Sequence, residues 1–163
     1  MANKQATKFL IDLEVFNEQE LLSRRVVNQE NYLNKVLIES QTMTEMATES
    51  IIPAVEQHFL LCCDIAKNMS QESSTGAYKS RKDKIETCLS GLIQSSEKLG
   101  EISNEIESKE SLEGQIDLVE EKLKDQMGVL RGFCDQAEQL VSADLWALPK
   151  YREMLFHPSL ASG

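Results

Sequence analysis

His58, Cys62 and Cys63 stand four and five residues apart, which sets an imidazole and a thiol one turn from each other if the segment is helical. Such a pair is half of a zinc site, whose tetrahedral shell wants four ligands. The sequence offers no second half. Cys88 and Cys134 are solitary, no C-x-x-C pair occurs, and His157 sits beside Pro158 without a partner. The simpler reading is a half-buried histidine at the edge of an apolar stripe, with cysteines that serve as small hydrophobes. Four unpaired cysteines on helix stripes fit a reducing, cytoplasmic compartment. Glu101, Glu105, Glu107, Glu110 and Glu113 crowd one stretch, but they lack the Asp/Asn-Gly loop of a calcium hand and read as a solvated helix face. There is no G-x-S-x-G elbow, no Ser/His/Asp grouping and no phosphate-cradling glycine loop. The expectation is a chain that is not an enzyme by itself, with no catalytic residue, no cofactor and no metal.

Charge narrows the partners. A net charge of −10 repels nucleic acid and anionic membranes. The one basic cluster, Lys79, Arg81, Lys82 and Lys84, is interrupted by Asp83 and has no aromatic side chain among its members, so it reads as the exposed start of a helix. No run approaches the ~20 apolar residues that a membrane span needs. The opening MANKQATKF is too polar for a secretory signal. What remains is a protein partner.

The elements that position these residues are helices. Gly and Pro are scarce, at seven and three residues, and apolar residues make up 41% of the chain, enough for a packed core. Asn17 followed by Glu20 has the spacing of a capping box, with Phe16 and Leu21 at staple positions. From Glu18 to Met69 apolar residues recur at three- and four-residue steps, which predicts a first helix with a kink or break at Pro53. Residues 70–76, SQESSTG, read as a loop. A second helix follows with a stripe from Ile85 to Ile106, then a turn over 107–111 with Ser108 or Ser111 as cap. A third helix runs from Leu112 to Val141. Five glycines fall inside the last two helices (Gly91, Gly100, Gly114, Gly128 and Gly132), each costing about 1 kcal/mol against alanine, so packing must hold these helices together. The predicted fold is all-α: an antiparallel bundle of three to four long helices, the first kinked near Pro53, with an aromatic C-terminal tail. The expected organisation is an N-terminal segment over 1–16, a helical bundle over 17–141, a docking tail over 142–156 and a disordered tail over 157–163.

Helix lengths are unequal. The part of the first helix before Pro53 spans about 50 Å and the other two about 45 Å each, so an antiparallel pair cannot cover the whole first helix. Leu22, Val26, Leu33, Val36 and Leu37 are expected to remain partly uncovered, and an uncovered apolar stripe marks an interface. The tail contributes Leu145, Trp146, Leu148, Pro149, Tyr151, Arg152, Leu155 and Phe156. Its large side chains belong under cover, either on the first helix or on a partner.

Two segments carry a resemblance. LWALPKYREMLF, residues 145–156, closely resembles the carboxy-terminal signature of type III glutamine synthetases. ELLSRRVVNQENYLNKVLIESQTMTEMATESIIPAV, residues 20–55, is similar to the helix that leaves the catalytic domain in that family. Arg25 stands where the family more often has an aromatic residue, and Ser40 where it commonly has alanine. The resemblance implies a parent enzyme that joins glutamate and ammonia using ATP, in large oligomeric rings. The family's metal-binding glutamates and its glycine-rich K-P-x-x-G-x-N-G-S-G stretch have no counterpart in this sequence. The implied role is therefore a non-catalytic helical assembly domain that associates with itself or with a synthetase catalytic domain. The alternative is a generic coiled-coil adaptor or self-assembling scaffold unrelated to nitrogen metabolism.

Deleting residues 145–156 separates these two readings. A docked tail predicts a lower thermal midpoint, because each large apolar side chain returned to water costs about 1.5–3 kcal/mol. An unchanged midpoint together with unchanged partner binding would favour the adaptor.

Overall fold

In the computed structural model, residues 9–68 and 75–149 are described, and all their regular structure is helical. Helix α1 (Glu18–Met46) passes through a π-helical turn, Ala47–Ile51, into α2 (Ile52–Asn68). Helix α3 spans Thr75–Glu107. Helix α4 (Leu112–Leu118) passes through a second π-helical turn, Val119–Leu123, into α5 (Lys124–Leu140). The described residues thus form three helical rods, and the all-helical expectation holds.

The starts and stops follow local chemistry. The Asn17 side chain accepts from the Glu20 N–H at 2.8 Å, and the Glu20 carboxylate accepts from the Asn17 N–H at 2.9 Å, closing the expected capping box. Ser111, and not Ser108, caps α4, its hydroxyl accepting from the Gly114 N–H at 3.2 Å. Before α1, a helical turn at residues 9–12 ends in a Schellman-type cap, with Val15 N–H on the Leu10 carbonyl (3.0 Å) and Glu14 N–H on that of Ile11 (2.9 Å). Glu14 takes the left-handed position there (φ 56) that usually falls to glycine. Helix α3 begins at Thr75, so the last two residues of the expected loop are helical; residues 70–74 lie outside the described part.

Pro53 does not break the first rod. The π-helical turn lies immediately before it, with Ile52 N–H reaching back five residues to the Ala47 carbonyl. A proline lacks its own N–H and crowds the carbonyl four residues back; a π-helical turn widens the ladder where that crowding falls. The third rod has a π-helical turn without any proline. Both turns share another feature. Ala47, Ile51 and Val55 follow one another at two consecutive four-residue steps, as do Val119, Leu123 and Met127. Two such steps rotate an apolar seam off the face of a straight α-helix, and one extra residue in a turn brings it back. Ala47, Val119 and Leu123 are accordingly fully buried.

Cross-helix bonds set the register. His58 Nε2 of α2 accepts from Arg81 Nη2 of α3 at 3.2 Å, and Ser40 of α1 meets Ser103 further along α3 at 3.1 Å, so the first rod and α3 run antiparallel. Helix α3 is also antiparallel to the third rod. Cys88 Sγ donates to the Phe133 carbonyl (3.5 Å), Gln126 Nε2 to the Ser95 carbonyl (3.0 Å) and Gln115 Nε2 to the Ile106 carbonyl (3.2 Å). Ile85, Leu92, Leu99 and Ile106 of α3 meet Leu123 and Leu130 of the third rod and Val55 of the first in one core.

This register leaves two overhangs. Tyr32 donates to Glu120 near the start of the third rod at 2.5 Å, and no residue of α1 before Leu33 is buried. At the other end, Cys88 is level with Phe133, so Leu140, where α5 stops, comes level with Arg81 and hence with His58. Helix α2 continues beyond that level to Asn68, accompanied among the described residues by the start of α3.

Gly91 is the glycine that packing requires: a Cβ there would lie 2.3 Å from the Phe133 ring, whereas at Gly100, Gly128 and Gly132 it would meet open space. Gly91→Ala should therefore lower the urea midpoint, because overpacking of about 1–3 kcal/mol exceeds the ~1 kcal/mol gain in helix propensity. Gly100→Ala and Gly132→Ala should each raise it, through a gain in stability of up to about 1 kcal/mol. Equal responses at all three positions would refute this account of Gly91.

Candidate interaction surface

The groups with chemical potential are engaged in structure. His58 is buried, and since arginine can only donate, its Nε2 accepts and its Nδ1 carries the proton. That Nδ1 is buried with no hydrogen-bond partner. Burial first, and the Arg81 charge second, push the imidazole below its ordinary value, so it is neutral. Cys62 and Cys88 are buried and Cys63 and Cys134 half-buried, all as free thiols. Burial, then Asp135, raises the Cys134 thiol to about 11, and burial also raises Cys88, so neither is a nucleophile at neutral pH. Among the described residues no three His, Cys, Asp or Glu side chains cluster as metal ligands.

The glutamates divide. Glu101, Glu107, Glu110 and Glu113 face solvent, while Glu105 bridges to Lys122 of the third rod at 2.9 Å. Glu120, outside the run noted in the sequence, matters more. It accepts from Tyr32 across the rods and from Lys124 at 2.8 Å, and the Lys124 ammonium stands 5.3 Å from the centre of the Tyr32 ring. The Lys124 bond first, and Tyr32 second, hold the Glu120 carboxyl below its usual value. Lys124 is raised in turn, chiefly by Glu120. Spacing alone could flag Glu120 and Lys124 as a helical pair; nothing in the sequence points to Tyr32, eighty-eight positions away. Two members of the basic cluster are likewise engaged, while Lys79 and Lys84 stay exposed. Arg81 caps His58, and Lys82 lies 5.7 Å from the centre of the Phe59 ring, an aromatic partner supplied by another helix.

An open cleft of about 600 Å³ separates the start of α3 from the end of α5, lined by Lys79, Ser80, Asp83, Lys84, Thr87, Gln136, Gln139 and Leu140. Its walls are mixed, exposed polar side chains from two helix surfaces, and none of the described ones is a buried group without a hydrogen-bond partner, so they do not converge as in a ligand site.

The stripe expected to be uncovered on the first helix is only partly so. Leu33 and Val36 are 5% and 7% exposed, inside the chain's own core, and Leu37 packs beside them. They are covered because α3 and α4 extend far enough to meet them, a register that element lengths alone do not fix. Leu22 and Val26 remain open, at 59% and 44% exposure, on the overhang. Val27 joins them, as do Phe9, Leu13 and Val15 just before α1, four residues that the search for one helical stripe passed over. Glu18, Arg25 and Glu30 on the same overhang are exposed as well. Arg24 lies over the Phe16 ring at 4.5 Å. In the tail, Leu145, Trp146 and Leu148 are half-buried against the core and Pro149 is exposed. Tyr151, Arg152, Leu155 and Phe156 lie outside the described residues, as does the tail expected to be disordered, 157–163. No described helix is long and apolar enough to cross a membrane.

Comparison with known proteins gives this surface a context. Residues 1–70, which carry the overhang and the whole first rod, match the family model described as the glutamine synthetase C-terminal domain. The chain is similar to a glutamine synthetase of Bacteroides fragilis (strain YCH46), 30% identical over 164 residues, covering 94% of this chain and 22% of that relative. A glutamine synthetase of Butyrivibrio fibrisolvens is 28% identical over 155 residues, covering 87% of this chain and 21% of that relative. The chain spans about a fifth of the length of these curated relatives. Its resemblance to the C-terminal domain of glutamine synthetases therefore rests on the family model over the first rod and on curated relatives over nearly the full chain.

The neutral, buried His58 gives stability a pH dependence. An unfolded chain keeps the ordinary value of 6.5, so below it the unfolded state takes up a proton that the folded state resists. The His58 contribution is fully present above pH 6.5 and is lost as pH falls toward the lower folded value. Urea midpoints should decline from pH 6.5 downward, with a shallower decline in His58→Gln. An identical decline in that variant would assign the effect to other groups.

Proposed function

We propose that this chain, kin to the glutamine synthetase C-terminal domain through its first 70 residues, is a non-catalytic helical assembly domain of the type III kind. In this reading it is an antiparallel bundle that works in the cytoplasm within glutamine biosynthesis, alongside a glutamate–ammonia ligase, and touches neither ATP nor glutamate. The observation that carries the reading is the overhang of α1. Leu22, Val26 and Val27 project from the bundle on about four helical turns that no other described helix covers, within the segment that matches the family model. Exposed apolar residues in such number on a rigid helix favour a protein partner, and the family match favours a synthetase catalytic domain as that partner. The engagement of His58, the thiols and most polar pairs in structural contacts supports a role without chemistry.

The test is binding of the purified chain to a glutamine synthetase catalytic domain, with Leu22→Asp/Val26→Asp as the variant. Wild type should bind and the variant should not, with thermal midpoints alike, because both side chains already face water. The chain alone should form no glutamine from glutamate, ammonia and ATP. Equal binding by the variant would remove the overhang from the interface, and glutamine formation by the chain alone would overturn the non-catalytic role.

A further inference from the structure

We infer that Cys88 of α3 and Cys134 of α5 form a redox latch, which a peroxide closes into a disulfide that fastens the two helices within one molecule. Register sets their placement. The Cys88 thiol donates to the Phe133 carbonyl at 3.5 Å, and seven residues further along α3 the Ser95 carbonyl accepts from Gln126, seven residues back along α5. This antiparallel register puts Cys88 opposite Cys134, in a layer between Ile85 with Ala137 and Leu92 with Leu130, four residues that are fully buried.

A disulfide needs Cα atoms within about 6.8 Å, closer than the roughly 8–10 Å between most packed helix axes. Small residues bring the helices together at this level. A Cβ at Gly91, nearly one turn on from Cys88, would come within 2.3 Å of the Phe133 ring, and Ser95 and Ala137 are buried in the same seam. The carbonyl that Cys88 touches belongs to the peptide group joining Phe133 to Cys134, so the sulfur already stands against its partner's backbone. The two sulfurs are near enough that a charge on Cys88 adds to the rise of the Cys134 thiol, after burial and Asp135. Cys62 and Cys63 lie one turn past the His58–Arg81 contact on the side away from Cys88, roughly 16 Å from it along the bundle.

Exposure assigns the roles. Cys134 is half-buried and Cys88 is 2% exposed, so a small oxidant meets Cys134 first. The Cys134 thiolate attacks one oxygen of hydrogen peroxide, the O–O bond breaks, a first water leaves and a sulfenic acid remains. The Cys88 thiol then gives up its proton and its sulfur attacks that of Cys134. The S–O bond breaks and a second water leaves. Two thiols and one peroxide become one disulfide and two waters, with two electrons passing to the peroxide. The raised thiols keep thiolate scarce at neutral pH, so the latch closes slowly, under sustained oxidation, and small thiols reopen it. The inference stands whether or not the family reading does.

The test treats the folded full chain with hydrogen peroxide and maps its peptides by mass without reduction. The Cys88 and Cys134 peptides should become linked with a loss of about 2 Da, and the urea midpoint should rise until dithiothreitol restores it. The rate should climb about tenfold per pH unit between pH 7 and pH 9, as the thiolate fraction does below a value of about 11. Cys134→Ser should leave Cys88 an unmodified thiol, a readout that serves even if Cys88→Ser fails to fold, and Cys62→Ser/Cys63→Ser should close as the wild type does. Cys134 oxidised beyond the sulfenic acid with Cys88 still free, or a link to Cys62, Cys63 or a second chain, would overturn the inference. So would a pH-independent rate or a closed form whose midpoint does not rise.

Discussion

One apolar seam runs along the first rod from Leu33 to Cys62, and the rest of the molecule is arranged to cover it. The covering helices are antiparallel to each other and joined by a short turn at residues 108–111, so they share one end near Tyr32. Because the first rod is longer than either, coverage must fail somewhere. It fails at both ends, before Leu33 on α1 and at Leu61 and Ile65 on α2, although Cys62 beside them stays buried. Those two failures have different surroundings. The first projects beyond the other described helices; the second lies on α2 at Leu61 and Ile65.

Length alone does not fix where the coverage falls. The polar bonds between helices do. Ser40 with Ser103, and Gln126 with the Ser95 carbonyl, are buried pairs whose loss would strand a polar group in the core, so a slide by one turn is penalised far more than apolar contacts would penalise it. Tyr32, Glu120 and Lys124 add a clamp in partly solvated surroundings, which contributes more to register than to stability.

The two π-helical turns serve the same end. A rod of more than fifty residues cannot keep a four-four seam on one face without local unwinding, and unwinding at Ala47–Ile51 also accommodates Pro53. Rigidity then extends to the overhang, which is helical from its capping box onward. A partner meeting Leu22 and Val26 meets a surface already ordered, with little conformational entropy left to lose on binding.

The sequence by itself determined the helical class, the capping box at Asn17, the turn before Leu112 and the buried stripe of each rod, because these follow from local propensity and from periodicities read over a few turns. It also carried the resemblance in its two end segments. Only the tertiary structure decided that Leu33 and Val36 are core while Leu22 and Val26 are surface, that Pro53 sits behind a π-helical turn without breaking the rod, that Gly91 makes room for Phe133, and that Arg81 and Tyr32 each find a partner on another helix. The reason is register. A seam repeats every turn, so its pattern is satisfied almost equally well at several offsets, and the choice among them rests on a few specific contacts between residues far apart in the chain.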